Sequence, residues 1–179
     1  MQLPKRSSLG FTLAELLITL AILGVIATFA IPKVITAQSN AKKQAVAKEL
    51  MAALANVVNQ AKLNSTLTMS TTMGDLTPSL NYVAVDTASS VDSVPNGTGV
   101  VPCSTVGYHC LRFHSGAILL YDNNSFQVLG GGLAVVIDPD GVLTSQQDSL
   151  GVMLDTSGRV ETYGEALGST TYTPTWFNW

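Results

Sequence analysis

The chain has 179 residues, of which 46% are hydrophobic and only 12% charged, and its net charge is −3. That length holds one membrane helix and one soluble domain of about 115 residues, which is enough to bury a core. From Asn64 onward the cations are Arg112 and Arg159, set against ten carboxylates, and an acidic domain of this kind argues against direct nucleic-acid binding through bulk charge.

Residues 1–10 are short and polar and read as a processing leader. They do not have the layout of a secretory signal peptide, because the apolar run behind them is too long for an h-region. From Phe11 to Ile31 the only formal charge is Glu15. At about 1.5 Å of rise per residue such a run reaches roughly 30 Å, the thickness of a bilayer core, so residues 11–33 are expected to cross a membrane. Lys5 and Arg6 stand just before the run, and the positive-inside rule keeps them in the cytoplasm with the remaining chain on the far side. Glu15 is out of place in a plain anchor. An acidic side chain costs about 2.5–3.5 kcal/mol at the centre of a membrane helix, and less near its end. Nothing else inside the run pairs with it, so its partner is expected on another chain.

Pro32 lacks a backbone donor and crowds the carbonyl four residues back, so a kink or local unwinding is expected there. The helical period continues beyond it. Val46, Leu50, Leu54, Val57, Val58 and Ala61 fall on one face of a helix, while Lys42, Lys43, Gln44 and Lys48 fall on others. Residues 34–63 therefore read as an amphipathic continuation of the same helix.

The basic leader ending in Gly10, then Phe11, Thr12, Leu13 and Glu15, the apolar run and Pro32 together resemble the amino-terminal segment of type IV prepilins and type II secretion pseudopilins. The resemblance covers about the first third of the chain. It implies that a membrane prepilin peptidase cuts after Gly10 and methylates the new amino terminus at Phe11. It also implies that Glu15 neutralises the amino terminus of a neighbouring subunit during assembly. The implied partners are other pilin or pseudopilin subunits, the prepilin peptidase and a membrane assembly platform.

Residues 64–179 form the head. Asn64 to Gly99 is rich in Ser, Thr, Asn, Asp and Gly, and reads as a long connection with a short helix or strand near 75–85. Cys103 and Cys110 lie beyond the membrane, which favours a disulfide in an oxidising compartment. From Cys110 the pattern turns to strands: CLRFH, AILLYD, FQVL, LAVVID, GVMLD and RVETY, separated by Ser115-Gly116, Asn123-Asn124, Gly130-Gly131-Gly132, Asp138-Pro139-Asp140-Gly141 and Thr156-Ser157-Gly158. This is an antiparallel meander whose apolar face needs a helix to cover it. The fold class is α+β, a long amino-terminal helix packed on a small antiparallel sheet. The aromatic tail TPTWFNW is expected to dock on a core or a neighbour.

No pattern for an enzyme stands out. Cys103, His109, Cys110 and His114 have the donor types of a zinc site but not its spacing. Ser, His and Asp are present without a nucleophile elbow. Asp138, Asp140 and Asp148 are three carboxylates in one loop. They suit a hard cation such as Ca²⁺, against the competing reading of a tight Asp-Gly turn between strands. The resemblance points the same way, since pseudopilins of the major secretion type carry a calcium loop in this region. The expectation is a structural subunit of a pseudopilus or pilus, the alternative being an anchored extracytoplasmic binding domain that does not polymerise.

Overall fold

The computed structural model describes residues 11–92, 100–126, 131–142, 149–162 and 177. The chain divides into two compact units, Met1–Ser39 and Asn40–Trp179, and the boundary falls within the first helix, α1 (Leu13–Leu63). Helical assignment runs through Pro32 unbroken, so no local unwinding occurs there. The Thr36 hydroxyl donates to the Pro32 carbonyl at 3.0 Å.

In the second unit α1 buries Val46, Ala47, Leu50, Met51, Leu54, Val57 and Val58, the face expected from their spacing, and Ala61 packs against the same core. The helix ends where Ser65 takes a left-handed conformation (φ 57°) and the Thr66 N–H turns back to the Ala61 carbonyl at 2.9 Å. A short helix α2 (Met73–Leu76) and a 3-10 turn (Thr77–Ser79) follow. Thr72 and Asp75 cap α2 reciprocally, each side chain accepting the other's backbone N–H.

Among the described residues eight strands follow: β1 (Ala84–Asp86), β2 (Ser90–Asp92), β3 (Val100–Pro102), β4 (Tyr108–Arg112), β5 (Ile118–Asp122), β6 (Gly132–Asp138), β7 (Leu150–Asp155) and β8 (Val160–Thr162). Six of them form an antiparallel sheet in the order β1-β4-β5-β6-β7-β8, and β2 pairs with β3 separately. The meander from β4 to β8 is as the sequence predicts. The FQVL segment differs: Phe126 is fully buried but lies in a turn, its N–H bonded to the Thr71 carbonyl, and the rest of that segment is outside the described residues.

The sheet is covered on both faces. Leu111, Leu119, Leu133, Val135, Ile137 and Val152 belong to the core that includes α1. Their neighbours Cys110, Ile118, Leu120 and Val136 join Val91 and Cys103 in a second, smaller core. Side chains alternate across a strand, so one run such as Ile118–Tyr121 supplies both cores, and all four of its residues are buried. The second core is what the β2–β3 pair covers, and it was not expected from a sequence stretch that reads as loop. Of the aromatic tail, Phe177 is described: it is buried in the first core, with the Lys48 ammonium 6.0 Å from its ring centre.

Candidate functional site

Among the described residues of the first unit, the apolar side chains of α1 belong to no core. Leu16, Leu17, Ile18, Leu23, Ile26 and Phe29 are all more than half exposed, and Phe11 is 84% exposed. The helix is long and apolar enough to cross a membrane. An exposed apolar surface of this extent marks a membrane or protein contact.

Glu15 has a partner inside its own chain, contrary to the expectation that nothing in the run could meet it. Its Oε2 accepts both the Thr12 N–H and the Thr12 hydroxyl at 2.8 Å, and the Thr12 hydroxyl accepts the Glu15 N–H at 3.2 Å. This is a capping box across Thr12-Leu13-Ala14-Glu15, which the S/T-x-x-E spacing announces. The arrangement gathers the carboxylate over the first turn, towards the amino-terminal end of α1 that Phe11 and Thr12 precede. These donors are neutral, so among the described residues the carboxylate is hydrogen-bonded without a cation beside it. Gly10, the residue expected before the cleavage point, lies outside the described residues.

In the second unit Cys103 and Cys110 form a disulfide with Cα atoms 5.5 Å apart, both within the second core, which removes the zinc alternative. His109 instead stacks on Tyr121, with ring centres 5.2 Å apart, and His114 is exposed.

The DPDG turn follows β6. Asp138 is fully buried, and its Oδ1 accepts the N–H groups of Asp140 and Gly141 at 3.3 and 3.0 Å. Among the described residues its Oδ2 is buried without a hydrogen-bond partner, as is the hydroxyl of Ser149, just before β7. Burial raises the Asp138 carboxyl, and the neighbouring Asp140 carboxylate adds to this against the backbone N–H groups, taking it to about 6. Asp140 goes the other way. Burial alone would raise it, but the Lys43 ammonium 3.0 Å from its Oδ2, together with the Val142 N–H, brings it below the usual value. Asp148, the third expected ligand, lies outside the described residues. Among those described, no group of three or more His, Cys, Asp or Glu side chains is placed to hold a metal. Among the described residues the turn offers two carboxylates, one of them paired with Lys43, and the loop residues that would have to complete a shell of six to eight oxygens lie outside the described residues.

A second polar cluster went unnoticed in the sequence. The Arg112 side chain donates to Asp86 Oδ2 through Nε at 2.7 Å, to the Ser89 hydroxyl at 2.7 Å and to the Gly116 carbonyl at 3.3 Å. Asp86 also accepts the N–H groups of Ala88 and Ser89. Burial would raise Asp86, yet these hydrogen bonds outweigh it and hold the carboxyl at about 2. The cluster ties the segment leaving β1 to β4. Long-range pairs of this kind leave no local spacing to read. A polar cavity of about 400 Å³ between the end of α1 and α2 includes Gln60, Asn64, Thr68 and Asp75 in its lining.

Residues 5–31 match the family model described as the prokaryotic N-terminal methylation motif. The amino-terminal segment is therefore of the prepilin cleavage and methylation type, and it supports a precursor of the type IV pilin or pseudopilin kind. No curated protein and no solved structure matches the chain. The motif and the apolar helix fit a protein anchored in the inner membrane, and they point to a structural subunit rather than an enzyme.

Proposed function

We propose that this protein is a structural subunit of a type II secretion pseudopilus or a type IV pilus. Prepilin peptidase cuts it after Gly10 and methylates Phe11, and an assembly platform in the membrane then draws it into a polymer through residues 11–33. The observation that carries this reading is the methylation motif lying on a helix whose large apolar side chains from Leu13 to Ile35 are exposed among the described residues. In this reading Glu15, already gathered over the first helical turn by Thr12, meets the amine of a neighbour's Phe11, which supplies the positive charge that Thr12 lacks. The experiment is crosslinking of membranes from cells that express the chain with its peptidase and platform. Wild type should give a ladder of multimers linked through the helix, and Glu15→Ala should be inserted and cut yet give few of them. A processed wild-type chain that stays monomeric under the same conditions would favour an anchored binding domain that does not polymerise.

A further inference from the structure

We propose, resting on the reading of the chain as a polymer subunit, that the polar cavity at the end of α1 receives the Lys42 ammonium of a second copy. The cavity holds about 400 Å³, and its lining carries one acid, Asp75, and no cation. The threonines that wall it are already engaged: the Thr68 N–H donates to the Thr71 hydroxyl at 2.9 Å, and the Thr66 hydroxyl donates to the Ala61 carbonyl at 3.1 Å. Asp75 is engaged through one oxygen. Its Oδ2 accepts the N–H and the hydroxyl of Thr72, both at 2.8 Å, and these bonds hold the carboxyl below its ordinary value. Asp75 Oδ1 and the carboxamide oxygens of Gln60 and Asn64 remain, without a partner among the described residues. An ammonium has three donors and no acceptor, and this set of acceptors matches it.

The occupant follows from the chain's own cations. Lys43 pairs with Asp140, Arg112 with Asp86 and Arg159 with Glu161, and Lys48 lies over Phe177. Lys5 and Arg6 belong to the leader, and Lys33 stands among the exposed apolar residues of the first unit. Lys62 follows Gln60 closely on α1, so it would meet a second cavity only if two copies stood level, without the axial step of a filament. Lys42 is exposed and has no partner among the described residues. It lies about 27 Å from Gln60 along α1, at about 1.5 Å of rise per residue, far beyond the reach of its own side chain. A Lys42 that fills the cavity therefore belongs to another copy, displaced by that step along the helix. The two surfaces differ, so each copy gives one lysine and takes one, and the contact repeats head to tail. Ala45, three residues on, is exposed on the same side of α1 and is small enough to let a neighbour approach. An exposed pair of this kind is weak alone. Its part is to set the register between copies, and like charges placed there would oppose assembly.

The test is crosslinking of the full chain in membranes that hold its peptidase and platform. A chain with both Lys42→Cys and Asn64→Cys should give a ladder of disulfide-linked multimers on oxidation, and each substitution alone should give none. Lys42→Glu should lose most of the multimers that wild type links through residues 11–33, and Lys42→Arg should keep them. Asn64→Lys added to Lys42→Glu should restore them, because it puts a lysine in the cavity opposite the new acid. Lys62→Glu makes the same change of charge and should leave them as they are. Multimers linked through residues 11–33 without the disulfide ladder would overturn this contact and leave the polymer reading standing. Unchanged multimers in Lys42→Glu would overturn it as well, and that arm decides even if the double cysteine chain fails to assemble. A processed wild type that stays monomeric would remove the polymer reading and this contact with it.

Discussion

Asp138→Asn tests the electrostatics of the head in a single substitution. The carboxamide keeps an oxygen for the N–H groups of Asp140 and Gly141, and it cannot ionise. In the wild type the folded carboxyl titrates near 6, against an ordinary value of 3.8. The folded state therefore holds a proton that the unfolded chain has already released, and stability falls as pH rises from about 4 through about 6 and is level above that. A gap of roughly two units, at 1.36 kcal/mol each, amounts to about 3 kcal/mol at neutral pH and about half of that near pH 5. The new NH₂ group is itself buried where Oδ2 had no partner, so a net gain of about 1–3 kcal/mol is expected at neutral pH. Urea unfolding of residues 34–179, with circular dichroism as the signal, should show the variant more stable at neutral pH and the advantage shrinking to nothing in acid. A variant less stable than wild type at neutral pH, by an amount independent of pH, would refute the reasoning.

Asp86 has the opposite sign. Its carboxyl is held at about 2, so it contributes stability above its ordinary value that is lost as pH falls from about 4 through about 2. Arg112→Ala should lower stability at neutral pH by about 2–4 kcal/mol in the same urea assay, because it leaves a buried carboxylate without its cation. Gly141→Ala should cost about 1–3 kcal/mol, since its φ of 66° and the Gly116 carbonyl both oppose a Cβ, and the shift in urea midpoint would measure it. Reducing the Cys103–Cys110 bridge opens a loop of about eight residues, for which chain entropy gives about 2.5 kcal/mol; unfolding with and without reductant checks this.

Much of this fold can be read from local pattern. The buried face of α1 is visible in the spacing from Val46 to Val58, and the meander from β4 to β8 in alternation and turn residues. The second core is not, because β2 and β3 are three residues each and lie in a stretch dominated by Ser and Thr, where no period can establish itself. Glu15 shows how a dominant feature hides a smaller one. Its cost in lipid drew attention outward to another chain, while Thr12, three residues back, already formed the capping box with it. The acidic loop has a similar history. Of the three aspartates Asp148 lies outside the described residues, and Asp140 pairs with Lys43, almost a hundred residues away in sequence on α1, a contact that only the fold brings together. The resemblance at residues 5–31 was visible from motif alone, because Gly10, Phe11 and Glu15 occupy fixed positions relative to the apolar run.

The central claim concerns what happens at Gly10. Mass spectrometry of the amino-terminal peptide, from chain recovered out of membranes that contain prepilin peptidase, tests it most directly. The account predicts a peptide that begins at Phe11 with a methylated amine, and an uncut chain when Gly10→Val is made. A wild-type peptide that begins at Met1, or near Ile31 beyond the apolar run, would contradict it.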